Sequence, residues 1–187
     1  EDSLVGKGVS YCSTCDAPLY KGKDVVVVGG GNAAVEGAIL ISKYANKVHL
    51  VYRGDSLHRP EKVLLKQFEE CKNIDLHLNS QISEITEDDS GVNGVIIIKS
   101  EQEEKLMCDG LFIEIGADPR LELANQLNLL IDPDTNEVSV NKLMETSLKG
   151  IFAAGDLTNA SGPLKQTVTA AGQGAIAALS AYTYLSS

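Results

Sequence analysis

The segment that leaves this chain least freedom is a run of four valines that ends on three glycines. Val25-Val26-Val27-Val28 is followed at once by Gly29-Gly30-Gly31-Asn32-Ala33-Ala34. A continuous apolar run over residues 24–29 predicts a parallel strand buried on both faces. Asn32 to about Tyr44 then reads as a helix with Val35, Ala38, Ile39 and Ser42 on one side. Lys47 to Tyr52 reads as a second strand, which completes a β-α-β unit and makes the chain α/β. Gly29, Gly31 and Ala34 fit the pattern G-x-G-x-x-G/A between strand and helix. The first glycine permits the tight turn, and the second lets backbone approach a pyrophosphate. The small third residue lets helix and strand pack closely, and the helix N-terminus beginning at Asn32 offers oriented N–H groups to the anion.

The remainder is organised around that unit. Pro60 suits the first turn of a further helix running to Glu70, and Ile74 to His77 is a short strand. Ile82–Ile85, Val92–Lys99 and Leu106–Ile115 read as strands separated by Asp88-Asp89-Ser90-Gly91 and the polar Glu101–Lys105 segment. This predicts an antiparallel meander packed on the parallel sheet. Gly116-Ala117-Asp118-Pro119 reads as a hinge that closes a domain of residues 1–117. Beyond it the pattern predicts a short helix, strands near Glu137–Val140 and at Gly150–Ala154, and a long helix from about Pro163 to Leu185. Two strands and two helices do not cover both faces of a sheet, so residues 118–187 are expected to need a partner.

Ahead of the first strand stands Tyr11-Cys12-Ser13-Thr14-Cys15-Asp16. A Cys-x-x-Cys loop in a loop-to-helix turn can close a reversible disulfide, and a nearby helix terminus or cation raises the thiolate fraction. Asp16 is placed to move a proton as a thiolate leaves or forms. Half of a zinc site is the alternative, but no second Cys-x-x-Cys or Cys/His pair completes four ligands. Cys71 and Cys108 read as buried or surface residues without chemistry. A dithiol beside a dinucleotide turn points to electron passage between a nicotinamide and a disulfide.

The formal charge of −10 excludes nucleic acid as a partner. No apolar run is long enough to span a bilayer, so no membrane association is expected. Glu1-Asp2-Ser3-Leu4 lacks the features of a secretion signal, and with the irregular cysteine spacing this predicts a cytoplasmic location. For the nucleotide, the second strand ends Val51-Tyr52-Arg53-Gly54, with no carboxylate at the position that would hold an NAD ribose. Arg53 and Arg59 could clamp a 2′-phosphate instead, which favours NADPH over NADH, although Asp55 would oppose a phosphate. Farther on, Gly150-Ile151-Phe152-Ala153-Ala154-Gly155-Asp156 is a strand ending in a glycine and a carboxylate, a cradle for a sugar or ribityl hydroxyl. The helix carrying Gln166 and Thr167 could aim its dipole at an electron-rich ring.

Taken in order, Tyr-Cys-x-Thr-Cys-Asp at 11–16, Gly-Gly-Gly-Asn at 29–32, Gly-x-Phe-Ala-Ala-Gly-Asp at 150–156 and Lys-Gln-Thr at 165–167 resemble the low-molecular-weight thioredoxin reductases over nearly the whole chain. The resemblance implies a Rossmann-like three-layer ββα sandwich (parallel sheet, helices, antiparallel β-meander) at 1–117 as the NAD(P)H-binding domain. It makes residues 118–187 the C-terminal part of an FAD-binding domain. It implies electrons from NADPH through FAD to Cys12/Cys15 and on to thioredoxin or a thioredoxin-like protein, in a homodimer. Asp156 with Gly155 would hold the ribityl chain, and Lys165, Gln166 and Thr167 would lie near the flavin.

Two departures stand out. The family's His-Arg-Arg-x-x-x-Arg phosphate stretch is replaced here by Tyr52-Arg53-Gly54-Asp55-Ser56-Leu57-His58-Arg59, one arginine short and one residue longer. The family's N-terminal FAD-binding β-α-β unit is also missing from these residues. On that reading the chain is a fragment or a split form, expected to hold FAD poorly and to be inactive in isolation. The rival expectations are a peroxiredoxin-reducing flavoprotein of the same family and a non-catalytic nucleotide-binding module.

Overall fold

The computed structural model describes residues 1–57, 60–116, 119–162 and 164–186. It separates into two compact units, Glu1–Gly116 and Ala117–Ser187. In the first, strands β1 (Val9–Ser10), β2 (Asp24–Val28), β3 (Lys47–Val51), β4 (Ile74–His77) and β8 (Gly110–Ile113) form a parallel sheet in the order β1-β8-β2-β3-β4. Strands β5 (Ser80–Asp88), β6 (Gly91–Lys99) and β7 (Gln102–Met107) form a separate antiparallel meander. Helices α1 (Ser13–Asp16), α2 (Asn32–Ser42) and α3 (Lys62–Glu70) complete the unit.

The valine run explains the layering. Val25 and Val27, with Val48, Leu50 and Phe112, pack against Ala34, Val35, Ala38 and Ile41 of α2 on one face of the sheet. Val26, Val51 and Leu111 face the other way, against Val92, Val95 and Ile97 of the meander. Each of these residues is almost entirely removed from water, and each is worth about 1.5–3 kcal/mol of apolar transfer. An alternating strand could not have filled both layers. The three-layer ββα sandwich expected from the sequence is the architecture found.

Four local expectations are corrected. Pro60 does not enter a helix: Glu61 is the extended N-cap of α3, and its N–H donates to Asn32 Oδ1 at 3.1 Å. The polar 101–105 segment is mostly strand rather than turn, because β7 is an edge strand whose Gln102–Lys105 side chains all face solvent. Leu106–Ile115 is not one strand. It ends β7, turns at Cys108-Asp109, and restarts as β8 between β1 and β2. The expected hinge contains Ala117 and Asp118, which lie outside the described residues.

The second unit holds α4 (Glu122–Gln126), the two-stranded hairpin β9 (Ile131–Asp132) and β10 (Glu137–Val138), and α5 (Thr167–Ser186). Its core is Ala124, Leu129 and Val138, with Leu121, Ile131, Ile151 and Leu157 partly buried around them. Residues 150–154 do not form a regular strand: Phe152 makes a single antiparallel bridge to Glu145. The long helix begins at Thr167 rather than near Pro163.

Candidate functional site: a glycine turn and a disulfide helix

The C-terminal ends of β2, β3 and β8 open into a cleft of about 1320 Å³. Gly29, Gly31, Asn32, Arg53 and Glu114 are among its lining residues, and the meander contributes Glu84 and Glu87 from β5. Gly29 has φ +145°, and a Cβ there would overlap the Glu114 carbonyl oxygen and stand 2.7 Å from Ala34 Cβ. No side chain fits that turn without moving backbone. Ala34 is fully buried beneath it, so its role is packing rather than ligand contact. Gly31 differs: it is the extended N-cap of α2, no side chain caps the helix there, and a Cβ on it would meet nothing within 4 Å. The first-turn N–H groups of an 11-residue helix therefore face an open cleft at the point where backbone can approach closely.

Tyr52 fixes the outer side of the turn. A Cβ on Gly30 would strike the Tyr52 ring, and one on Gly54 would lie 2.5 Å from it. Arg53 follows, exposed at the cleft wall. Arg59 lies outside the described residues. Asn32 has a structural task as well, since its Oδ1 holds the backbone just before α3.

Cys12 and Cys15 form a disulfide with Cα atoms 5.3 Å apart. Cys12 is the N-cap of α1, and its Sγ accepts the Cys15 N–H at 3.1 Å, taking the place of the oxygen that usually caps a helix. Cys15 is exposed and Cys12 half-buried. Two residues that sequence reasoning missed hold this loop. Ser10, buried on β1, donates to Asp16 Oδ2 at 2.7 Å and accepts the Cys12 N–H at 3.1 Å. Glu114, at the end of β8, accepts the Ser13 N–H at 3.2 Å through Oε1. A serine before Cys-x-x-Cys carries no signal of its own, and Glu114 is 101 residues away in the chain. Cys108 is buried, and burial pushes its thiol up to about 12, which leaves it inert.

In the second unit the Gly155-Asp156 turn is held by a residue the sequence did not single out. Gln173 Oε1 on α5 accepts the Gly155 N–H at 2.7 Å. Lys165 Nζ donates to the Asp156 carbonyl at 3.0 Å and pairs with the buried Glu137. Asp156 and Thr167 are exposed, and Gln166 is half-buried just before α5. Gly155, Asp156, Lys165, Gln166 and Thr167 are thus all carried by this one unit, with Lys165 tied directly to Asp156.

No group of three or more His, Cys, Asp or Glu side chains suited to a metal occurs among the described residues, nor does a helix long and apolar enough to cross a membrane.

A doubly wound sheet with an open glycine turn, carrying a disulfide helix in the same unit, defines a nucleotide-linked disulfide oxidoreductase domain. A profile of pyridine nucleotide-disulphide oxidoreductases matches residues 1–174, and the chain belongs to that family. It is 42% identical over 197 residues to a thioredoxin reductase of Coxiella burnetii, covering 100% of this chain and 60% of the relative. It is 38% identical to an alkyl hydroperoxide reductase of Escherichia coli strain K12, covering 99% of this chain and 35% of that protein. Among solved structures, thioredoxin reductase from Streptococcus pyogenes matches with TM-score 0.86 and 35% identity, over 96% of this chain and 58% of that one. The chain spans about three fifths of the length of the thioredoxin reductases it matches.

Proposed function

We propose that this chain is the nicotinamide-binding, dithiol-bearing part of a flavoprotein that reduces the disulfide of thioredoxin or a thioredoxin-like protein at the expense of NADPH. The observation that carries this reading is the Cys12–Cys15 disulfide, with Asp16 in its helix, on the same compact unit as the glycine turn.

The residues fit the two cofactors. Gly31 leaves room for a pyrophosphate at the N-terminus of α2, Asn32 and Arg53 line the same cleft, and Ala34 keeps helix and turn close. NADPH is preferred over NADH because the second strand ends in Arg53 and offers no carboxylate to a ribose 2′-hydroxyl. Gly155 and Asp156 would hold the ribityl chain of FAD, with Gln173 and Lys165 fixing that turn and Gln166 and Thr167 beside the ring. When bound, the flavin supplies the relay between a two-electron nicotinamide donor and a disulfide.

The chain's own residues do the rest. Once reduced, one thiolate of the pair attacks the partner's disulfide, forming a mixed disulfide and releasing a partner thiolate, which takes up a proton. The second cysteine then attacks the mixed disulfide, restoring Cys12–Cys15 and releasing the second partner thiol. Asp16, aimed by Ser10, moves protons to and from the sulfur that leaves or forms. A cytoplasmic homodimer is proposed for the complete protein.

The test is NADPH-dependent reduction of oxidised thioredoxin by the full-length flavoprotein. Activity on a peroxiredoxin with none on thioredoxin would favour the second reading, a peroxiredoxin reductase, which the 38% identity to an alkyl hydroperoxide reductase supports. Absence of any NADPH-dependent disulfide reduction would leave a nucleotide-binding module.

A further inference from the structure

Glu114 serves two neighbourhoods. Its N–H donates to the Val28 carbonyl at 2.9 Å, and its own carbonyl oxygen occupies the place a Cβ on Gly29 would need, so its backbone is part of the glycine turn. Its side chain reaches the disulfide helix, where Oε1 accepts the Ser13 N–H at 3.2 Å. Ser13 is buried and follows Cys12 directly, as the first residue of α1. The carboxylate is therefore fixed within the Cys12–Cys15 loop, at the helix end whose N–H groups lack intrahelical partners. Gly37 of α2 makes this approach possible, since a Cβ there would stand 2.9 Å from Ser13 Oγ and 3.6 Å from the same Glu114 oxygen.

A fixed negative charge beside a dithiol acts on the chemistry of the sulfurs. It opposes ionisation of either thiol, and the thiolate is both the attacking species and the form that stabilises the reduced state. A dithiol whose ionisation is opposed is harder to reduce and, once reduced, a stronger reductant. Asp16 is the other carboxylate in the loop, and it has its own partner in Ser10.

We propose that Glu114 is a positioning residue that sets the thiolate fraction and redox equilibrium of Cys12/Cys15 from its place in the glycine turn. The proposal rests on the reading of this pair as a redox dithiol.

The experiment compares full-length wild type with Glu114→Gln and Glu114→Ala. Glutamine keeps an acceptor for Ser13 and loses the charge; alanine loses both. Each protein is equilibrated against graded mixtures of reduced and oxidised dithiothreitol, and the oxidised fraction of Cys12/Cys15 is read by alkylation and mass spectrometry. The rate of iodoacetamide labelling of the reduced pair at pH 7 is measured alongside. Both variants should label ~3- to 10-fold faster than wild type and be more reduced at a given mixture, the size expected of one nearby charge in a partly solvated setting.

Labelling and titration curves that coincide with wild type in both variants would overturn the proposal. So would a shift in Glu114→Ala alone, because the charge would then not be the agent. A wild-type pair that does not cycle in these mixtures would overturn the redox reading itself, an outcome distinct from the other two.

Discussion

Two alanine substitutions in the same glycine turn should have opposite consequences. Gly31→Ala adds a methyl group at φ −96°, where an L residue is comfortable and nothing lies within 4 Å. The loss of a glycine cap and the gain in unfolded-state entropy nearly cancel, so stability should stay within about 1 kcal/mol of wild type. The methyl instead projects into the space a pyrophosphate must share with backbone N–H groups. Overpacking of that kind costs about 1–3 kcal/mol, a roughly 5- to 150-fold loss of NADPH affinity. Gly29→Ala puts the same methyl at φ +145°, onto the Glu114 carbonyl oxygen and 2.7 Å from Ala34 Cβ. Strain and overlap together should cost about 2–6 kcal/mol of folding stability. Urea unfolding separates the two on stability, and calorimetric titration of the full-length protein with NADPH reads the affinity. A Gly31→Ala protein that binds NADPH like wild type would show that no phosphate approaches this turn.

Arg53→Ala should weaken NADPH binding by about 1 kcal/mol, a modest figure because the side chain is exposed, and leave NADH unchanged; parallel titrations with both nucleotides test this. Cys12→Ser or Cys15→Ser in the full-length protein should abolish disulfide reduction while NADPH oxidation with an artificial acceptor persists. Asp16→Asn should slow thioredoxin reduction by about 10²–10⁴-fold, and an unchanged steady-state rate would remove Asp16 from proton transfer. The fourth concerns pH. His49 and His77 touch at 3.1 Å on β3 and β4, and burial, with their mutual proximity acting on His49, holds both below the ordinary histidine value of about 6.5. The unfolded state then binds more protons, so their contribution is full above that value and lost as pH falls through their folded values. Glu104 and Asp75 oppose the shift, while Lys99 and Lys47 reinforce it. Denaturant midpoints should drop between about pH 7 and 5, and the drop should flatten in His49→Gln/His77→Gln. An identical slope in the double variant would assign the pH dependence elsewhere.

The layers and the glycine turn were legible because they rest on short-range pattern. The valine run required two buried faces, and Gly29, Gly31 and Ala34 fell in the only order that a strand, a turn and a helix can share. Where hydrophobicity misled, neighbours decided. Gln102–Lys105 form a strand because β6 offers a free edge, which no local pattern records. Gly110–Ile113 join the parallel sheet because a gap between β1 and β2 needs filling. The dithiol and Asp16 could be read from spacing, but Ser10, Glu114 and Gln173 could not. Each acts through one hydrogen bond whose partner is set by tertiary structure, across 101 residues for Glu114. A site's reactive atoms can thus be visible in sequence while the groups that aim them are not.

The central claim is that electrons from a nicotinamide reach the Cys12/Cys15 pair. It is tested most directly by adding one equivalent of NADPH anaerobically to the oxidised full-length flavoprotein, quenching with acid, and alkylating under denaturing conditions. Mapping by mass spectrometry should show Cys12 and Cys15 converted from disulfide to two labelled thiols, with Cys71 and Cys108 labelled equally before and after. A Cys12–Cys15 disulfide that stays closed while NADPH is consumed would contradict the account.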